Sequence, residues 1–428
     1  MDADESEEAK DHLAFAEAAV ARCVREQTLK NGKRIDGRAF DELRSLESDI
    51  DITGVVHGSA LFARGDTQTL STVTLGPLSD RQIVDDITIQ DFRSFFHHYK
   101  SLPFAYGGVG RIFGVSRREV GHGALVEKAL SWLLPDNENF PYTIRIVSEV
   151  LSSDGSTSQA AICSASLSLM ATGVPIREPI AGIAIGLIRD AAGNHNLLTD
   201  IQAWEDFYGD MDFKIAGGRN GIYAIQLDMK IDGLPLPVIR EVLEQARVAR
   251  MKLLDRMSET IDAPRKRLPK NVIKFQKIIV ATDAIARVIG PGGKNIKRVA
   301  AECDNVEIDV KDNGTVYLYH NDAETLEKAK KMVLENAAAP AAGNGGSNGF
   351  RKKNEKPPVV GSEHDGEIIG IKEYGLFVSL KGYEASGLMH LSRMPRKYAK
   401  KLDKNFSLKQ RLRVRVSGID EKNRISIE

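Results

Sequence analysis

The chain has 428 residues, with 59 Lys and Arg against 59 Asp and Glu, 42% hydrophobic residues and three cysteines. That length accommodates two or three domains, and the balanced charge removes net attraction as a guide to partners. The cysteines (Cys23, Cys163, Cys303) stand far apart, which excludes a cysteine zinc site or disulfide framework and fits a reducing compartment. No stretch approaches the roughly 18 apolar residues of a membrane span, and the first thirty residues lack a signal or transit pattern, so a cytoplasmic chain without a membrane role is expected.

In chain order, an acidic opening, "MDADESEEAKD", leads into apolar side chains at helical spacing over 9–29 (Leu13, Ala14, Ala18, Ala21, Val24). "KNGKRIDGR" breaks that helix. From 31 to 262 strand-like runs ("GSALFA", "TLSTVTLG", "YTIRIVSEVL", "AGIAIGLI", "IYAIQLDMKI") alternate with helix-like ones ("EVGHGALVEKALSWLL", "SQAAICSASLSLMATG", "PVIREVLEQARVARMKLLDRMSETI"), predicting one α/β (α+β) core. A basic linker over 263–276 follows. Then comes a strand–helix–helix–strand–strand–helix unit over 277–337, a Gly-, Ala- and Asn-rich flexible linker over 338–360, and short β runs over 361–428 that predict a small all-β barrel. Basic runs ("RKRLPKNVIKFQK", "RKKNEK", "RMPRKYAKKLDK") concentrate in this C-terminal third.

Five stretches carry candidate chemistry. In "EDFYGDMDFK", Asp210, Asp212 and Lys214 alternate with Met211 and Phe213, so a strand would put the charged groups on one face. Such a face is either solvated or a hard-cation site, since Mg²⁺ takes oxygen ligands and one or two carboxylates. In "VLSSDGSTSQAA" a strand runs into Ser156, Thr157 and Ser158 at a helix start, where unpaired N–H groups and the dipole favour an anion; an ordinary N-cap is the alternative. Arg117 and Arg118 open a helix at the end where cations are disfavoured, which suits bidentate phosphate contacts or a solvated turn. His122, between two glycines, and His57 read as structural residues. "IGPGGK" (Gly290, Pro291, Gly292, Gly293, Lys294) is a GxxG loop between two helices, the arrangement with which KH domains clamp a nucleic-acid backbone. In the final segment Tyr374, Phe377 and His390 suit base stacking on an OB barrel, with core packing as the alternative for the aromatics.

Taken together, "RIDGR", "HGSALFARGDTQ", "SRREVGHG", "FPYTIRIVSEVLSSDGSTS", "GVPI", "GDMDFK", "VIGPGGK" and "GLMHLS" resemble the polynucleotide phosphorylase family over nearly the whole chain. The resemblance implies the family's second RNase PH-like core, then a KH domain, then an OB domain of the ribosomal-protein S1 type, with residues 1–30 as the tail of a preceding all-helical domain. It implies phosphate held by Thr157 and Ser158 with Ser156 beside them, and Mg²⁺ or Mn²⁺ at Asp212 of the strand and at Asp206, which arrives from the preceding turn. Lys214 would complete the catalytic set, and Arg117 and Arg118 would sit on the RNA end. Asp210 is not a family ligand and would be second to the metal or solvated. Thr157 stands where the family usually has Ser, which keeps the hydroxyl.

The implied activity is phosphorolytic 3′-to-5′ degradation of single-stranded RNA to nucleoside diphosphates. It is reversible as template-independent polymerisation and serves mRNA turnover. Expected partners are RNA, inorganic phosphate, nucleoside diphosphates, further copies in a trimer-based ring and other RNA-decay proteins. The family's first core and helical domain have no counterpart here, so a separate chain would supply them, or this core would self-assemble, or the sequence is a fragment. The rival readings are an RNA-binding scaffold with an inactive core, which intact "GDMDFK" and "DGSTS" argue against, and a hydrolytic nuclease, which would need no phosphate.

Overall fold

The computed structural model describes residues 7–85, 90–112, 114–190, 192–338, 358–372, 375–381, 383, 386–390, 394, 402–419 and 425–428. The chain forms two compact units, Met1–Ala339 and Pro340–Glu428. The first begins with α1 (Glu7–Asn31) and continues through β1 (Leu46–Ile50), β2 (Gly58–Arg64), β3 (Thr67–Gly76), β4 (Gln82–Asp85), β5 (Gln90–Arg93) and β6 (Phe95–Ser101). Then come α2 (Arg117–Ser131), β7 (Thr143–Ser152), α3 (Thr157–Thr172), β8 (Ala181–Arg189), β9 (His195–Thr199), α4 (Ala203–Tyr208), β10 (Met211–Gly217), β11 (Ile222–Met229) and α5 (Leu236–Thr260).

Two sheets result. One has the order β1-β2-β3-β7-β6, with only β6 and β7 parallel; the other is the antiparallel set β11-β10-β8-β9. Helix α3 runs between them with all sixteen residues buried. A helix apolar on every side has no solvent face to offer, and "SQAAICSASLSLMAT" is such a sequence. Its serines fit because they bond locally or to β-sheet hydroxyls: Ser164 Oγ lies 2.6 Å from Ser71 Oγ, and Ser168 donates to the Ala165 carbonyl. Helix α5 covers the second sheet with Val242, Ala246, Leu253 and Met257.

The same unit contains β12 (Lys274–Ile279), α6 (Ile285–Ile289), α7 (Lys294–Glu302), β13 (Glu307–Val310), β14 (Thr315–His320) and α8 (Ala323–Ala338), with sheet order β12-β14-β13. This is the KH order the sequence predicts. Its sheet docks on the core: Tyr319 donates to the Pro141 carbonyl at 2.7 Å, Tyr142 donates to the Ile273 carbonyl, and Leu78 is buried against Tyr317 and Tyr319. The segment between core and KH sheet runs over the core surface, where Arg265 pairs with Asp51 and Val272 is buried.

The second unit is a closed barrel of β15 (Glu363–Lys372), β16 (Gly375–Leu380), β17 (Ser386–His390), β18 (Arg411–Ile419) and β19 (Ile425–Ile427), in the order β15-β16-β17-β19-β18. Leu376, Val378, Leu380, Val414, Val416 and Ile427 fill it. The α/β core, KH and OB-barrel classes are therefore all present.

Candidate functional site

The acidic strand answers for only part of "EDFYGDMDFK". Residues 203–208 are helical, so Asp206 is presented by α4 and not by a turn, and β10 starts at Met211. Asp210 stands just before β10 and is not solvated. It takes both guanidinium nitrogens of Arg25 (2.8 and 3.0 Å) and the backbone N–H of Arg189, tying α1 to the core.

Asp212 is 6% exposed. Its Oδ2 lies 2.9 Å from the Lys214 ammonium, whereas Oδ1 is buried with no hydrogen-bond partner among the described residues. Burial is the main reason its carboxyl is pushed up to about 6; Lys214 opposes the shift, and the carboxylates of Asp206 and Asp228 add to it. Among the described residues no group of three or more His, Cys, Asp or Glu converges on one point. The fit to a divalent cation rests instead on the orphaned, buried carboxylate oxygen with a second carboxylate close by, a donor set that suits Mg²⁺ or Mn²⁺ and needs water for the rest.

The hydroxyl loop is built against the same helix. Ser156 stands at φ 56 as the N-cap of α3 but makes no side-chain capping bond, so an ordinary cap does not explain it. Its Oγ donates instead to the Ile201 carbonyl, just before α4. Gly155 (φ +85) approaches α4 so closely that a Cβ would lie 2.7 Å from the Ala203 nitrogen. Gln202 donates to Asp154 at 2.9 Å. Thr157 and Ser158 are buried at the first turn of α3, and Thr157 Oγ1 accepts the Tyr99 hydroxyl at 2.6 Å. That bond occupies a lone pair of Thr157 and leaves its own proton free for an anion.

Behind both pieces is a buried ion network. Arg34 is bidentate to Glu205 (2.8 and 2.5 Å), next to Asp206. Arg44 is bidentate to Asp200 and donates to the Asp154 carbonyl at 2.7 Å. Burial alone would raise the Asp200 carboxyl, but Arg64 and Arg44 hold it well below the usual carboxylate range. Paired this way, the charges fix the loop of Asp154 and the helix of Asp206 relative to one another.

Tyr99 of β6 and His122 of α2 connect the hydroxyl loop to the acidic strand. Their rings pack edge to face at 5.1 Å. Burial first, then the cations Lys214 and Arg118, press His122 down to about 4, against the pull of Asp228, so the imidazole is neutral at pH 7. Arg117 and Arg118 occupy the exposed first turn of α2, whose Ser116–Glu119 capping box fixes the helix start, and Arg118 sits 5.9 Å from the Tyr106 ring centroid. The structure thus brings Thr157, Arg118 and Lys214 around His122 and Tyr99, with Asp212 paired to Lys214.

Tyr99, His122 and Asp228 were not singled out as functional from sequence. For Asp228 a signal existed: "DFK" (212–214) and "DMK" (228–230) repeat one pattern on adjacent strands, and register sets Asp212 opposite Asp228. Lys230 closes α4 by donating to the Asp206 and Phe207 carbonyls.

In the KH unit, Gly290, Gly292 and Gly293 all have positive φ, and the GxxG loop caps α7 with Lys294 exposed. A Cβ at Gly290 would meet Asn295, whose Nδ2 holds the Arg287 carbonyl at 2.7 Å. On the barrel, Phe377 and His390 fall on the outward face of β16 and β17, since Leu376, Val378 and Leu380 point inward; neither is core. Tyr374 lies outside the described residues.

Residues 42–175 match the 3′ exoribonuclease family, domain 1; residues 275–335 match the KH domain and residues 358–428 the S1 RNA binding domain. The chain is 45% identical over 405 residues to a polyribonucleotide nucleotidyltransferase of Spiroplasma citri, covering 95% of this chain and 55% of that protein. It is 41% identical over 425 residues to the one of Enterococcus faecalis, covering 99% and 57%. The chain therefore spans a little over half the length of the curated relatives it matches. An Archaeoglobus fulgidus exosome structure described as having RNA bound to the active site covers 55% of this chain and 98% of its own, at 19% identity and a TM-score of 0.48.

Proposed function

From the premise that this chain resembles polyribonucleotide nucleotidyltransferases across an RNase PH-like core, a KH domain and an S1 domain, we propose that it is a phosphorolytic 3′-to-5′ exoribonuclease acting on single-stranded RNA. One observation carries the reading. An anion-accepting helix start at Thr157, anchored just before α4 through Ser156, stands with a buried carboxylate at Asp212 that has an oxygen unpartnered among the described residues and Asp206 of α4 close by.

Inorganic phosphate sits at the start of α3, taking the Thr157 and Ser158 hydroxyls and first-turn N–H groups. Arg117 and Arg118 hold the RNA backbone at its 3′ end. A phosphate oxygen forms a bond to the terminal phosphorus, and the bond from that phosphorus to the 3′ oxygen of the preceding nucleotide breaks. The proton of hydrogen phosphate passes to that 3′ oxygen, and a nucleoside diphosphate leaves. Lys214 brings positive charge to the transferring phosphoryl group, and neutral His122 offers a lone pair beside it. Asp206 and Asp212 would hold Mg²⁺ or Mn²⁺, which neutralises phosphoryl oxygens when bound. Positioning and charge supply the catalysis, with no protein nucleophile.

Because one phosphate ester is exchanged for an anhydride, the reaction also runs toward polymer from diphosphates. KH loop and barrel face capture RNA upstream. We place the core in a trimer-based ring acting in cytoplasmic mRNA turnover. Purified protein incubated with single-stranded RNA and Mg²⁺ tests this: diphosphates are expected only with phosphate present. Monophosphates without phosphate would mean a hydrolase, and binding without products in either condition would mean a scaffold.

A further inference from the structure

Lys214 lies between two carboxylates on facing strands. Its ammonium is 2.9 Å from Asp212 Oδ2 and 3.8 Å from Asp228 Oδ2. Asp212 and Asp228 are direct cross-strand partners of β10 and β11, so their side chains share one face. Their surroundings differ. Asp212 is buried, with Oδ1 unpartnered among the described residues, while the Asp228 side chain is 65% exposed and steadied by Gln226, whose Nε2 donates to Oδ2 at 3.0 Å. Lys214 itself is only 11% exposed, so its ammonium cannot retreat into water and needs an anionic partner.

The ammonium therefore holds one oxygen, Oδ2, of the carboxylate whose other oxygen would take a divalent cation. A cation on Asp212 and an ammonium within 3 Å of the same carboxylate repel one another, and twofold charge doubles the repulsion. Asp228 is the nearest alternative, under one ångström farther away by the two distances.

We propose that Asp228 is the second station of Lys214: when Asp212 takes a divalent cation, Lys214 passes to Asp228, which holds it at the mouth of the site for the incoming phosphoryl oxygen. Asp228 is thus a positioning residue that acts through Lys214 and not as a metal ligand. The inference rests on the metal reading of Asp212.

The test is Mn²⁺ binding, followed by paramagnetic resonance of free Mn²⁺ with Mg²⁺ competition, on wild type, Asp212→Asn, Asp228→Asn, Lys214→Gln and the double variant Asp228→Asn/Lys214→Gln. Asp228 is exposed, so its replacement leaves the core packed. With no second station, Lys214 stays on Asp212, and Asp228→Asn should weaken Mn²⁺ binding about tenfold, a typical coupling between neighbouring sites. Lys214→Gln removes the competitor, so adding Asp228→Asn to it should change Mn²⁺ binding no further. If Asp228→Asn binds as wild type does, or weakens binding equally in the Lys214→Gln background, the handover is wrong; the second result would make Asp228 a ligand. Wild type and Asp212→Asn binding alike would overturn the metal reading itself, and the handover with it.

Discussion

Replacing Asp212 by Asn should stabilise the metal-free core, and the size of the effect follows from its burial. An aspartate ordinarily titrates near 3.8, and here burial pushes Asp212 up to about 6. At about 1.4 kcal/mol per tenfold change in acidity, holding it ionised in the folded state costs about 3 kcal/mol relative to the unfolded chain. The folded value is raised, so the corresponding stability is fully present below pH 3.8 and is lost as pH rises through about 6. Asn imitates the protonated carboxyl at every pH. Calorimetric melts in a chelator should therefore show Asp212→Asn equal to wild type near pH 4 and higher in Tm at pH 7.5. The difference should be roughly 6–12 °C, given about 2–4 °C per kcal/mol for a domain of this size. Adding Mg²⁺ should narrow the gap, because only the carboxylate gains from a bound cation. A variant no more stable than wild type at pH 7.5, or a difference independent of pH, would refute the electrostatic account of the site.

The other predictions concern separate pieces. Thr157→Val removes one donor to an anion, and at about 1.5–3 kcal/mol for a hydrogen bond to a charged group should raise the phosphate concentration for half-maximal rate about ten- to hundredfold; steady-state rates against phosphate check it. Glu205→Gln leaves Arg34 as an uncompensated buried cation and should cost about 3–5 kcal/mol of core stability in a denaturant titration, since both side chains are essentially inaccessible to water. Removing residues 358–428 should weaken RNA binding and flatten its salt dependence, each lost phosphate contact taking about 0.7 from the slope of log affinity against log salt. A potassium chloride series on both proteins measures that.

Much of the fold is legible because its periodicities are strong. β8 reads as an apolar run, β7 as an alternating one, and α3 as an apolar segment too long for a strand. The GxxG loop is legible because only glycine suits three positive-φ positions in four residues. Asp206 is presented by α4, whose six residues carry too few turns to show a helical period, so the sequence reads as a turn. The role of Asp210 is hidden because its partner, Arg25, lies 185 residues away in sequence. Tyr99 and His122 become functional neighbours only through tertiary pairing, since nothing local says that β6 meets Thr157, whereas Asp228 lies on the strand after β10 and is signalled only by the DFK/DMK repeat. The Arg34–Glu205 and Arg44–Asp200 pairs are likewise invisible, being more than 150 residues apart in sequence.

The central claim is that phosphate, held at Thr157, is the attacking group. Degrading single-stranded RNA with ¹⁸O-labelled phosphate in ordinary water, and reading the products by mass spectrometry, tests it most directly. Labelled oxygen in the terminal phosphate of nucleoside diphosphates, lost together with activity in Asp212→Asn, is the predicted result. Unlabelled nucleoside monophosphates would contradict it, and labelled diphosphates formed equally well by Asp212→Asn would remove Asp212 from the reaction.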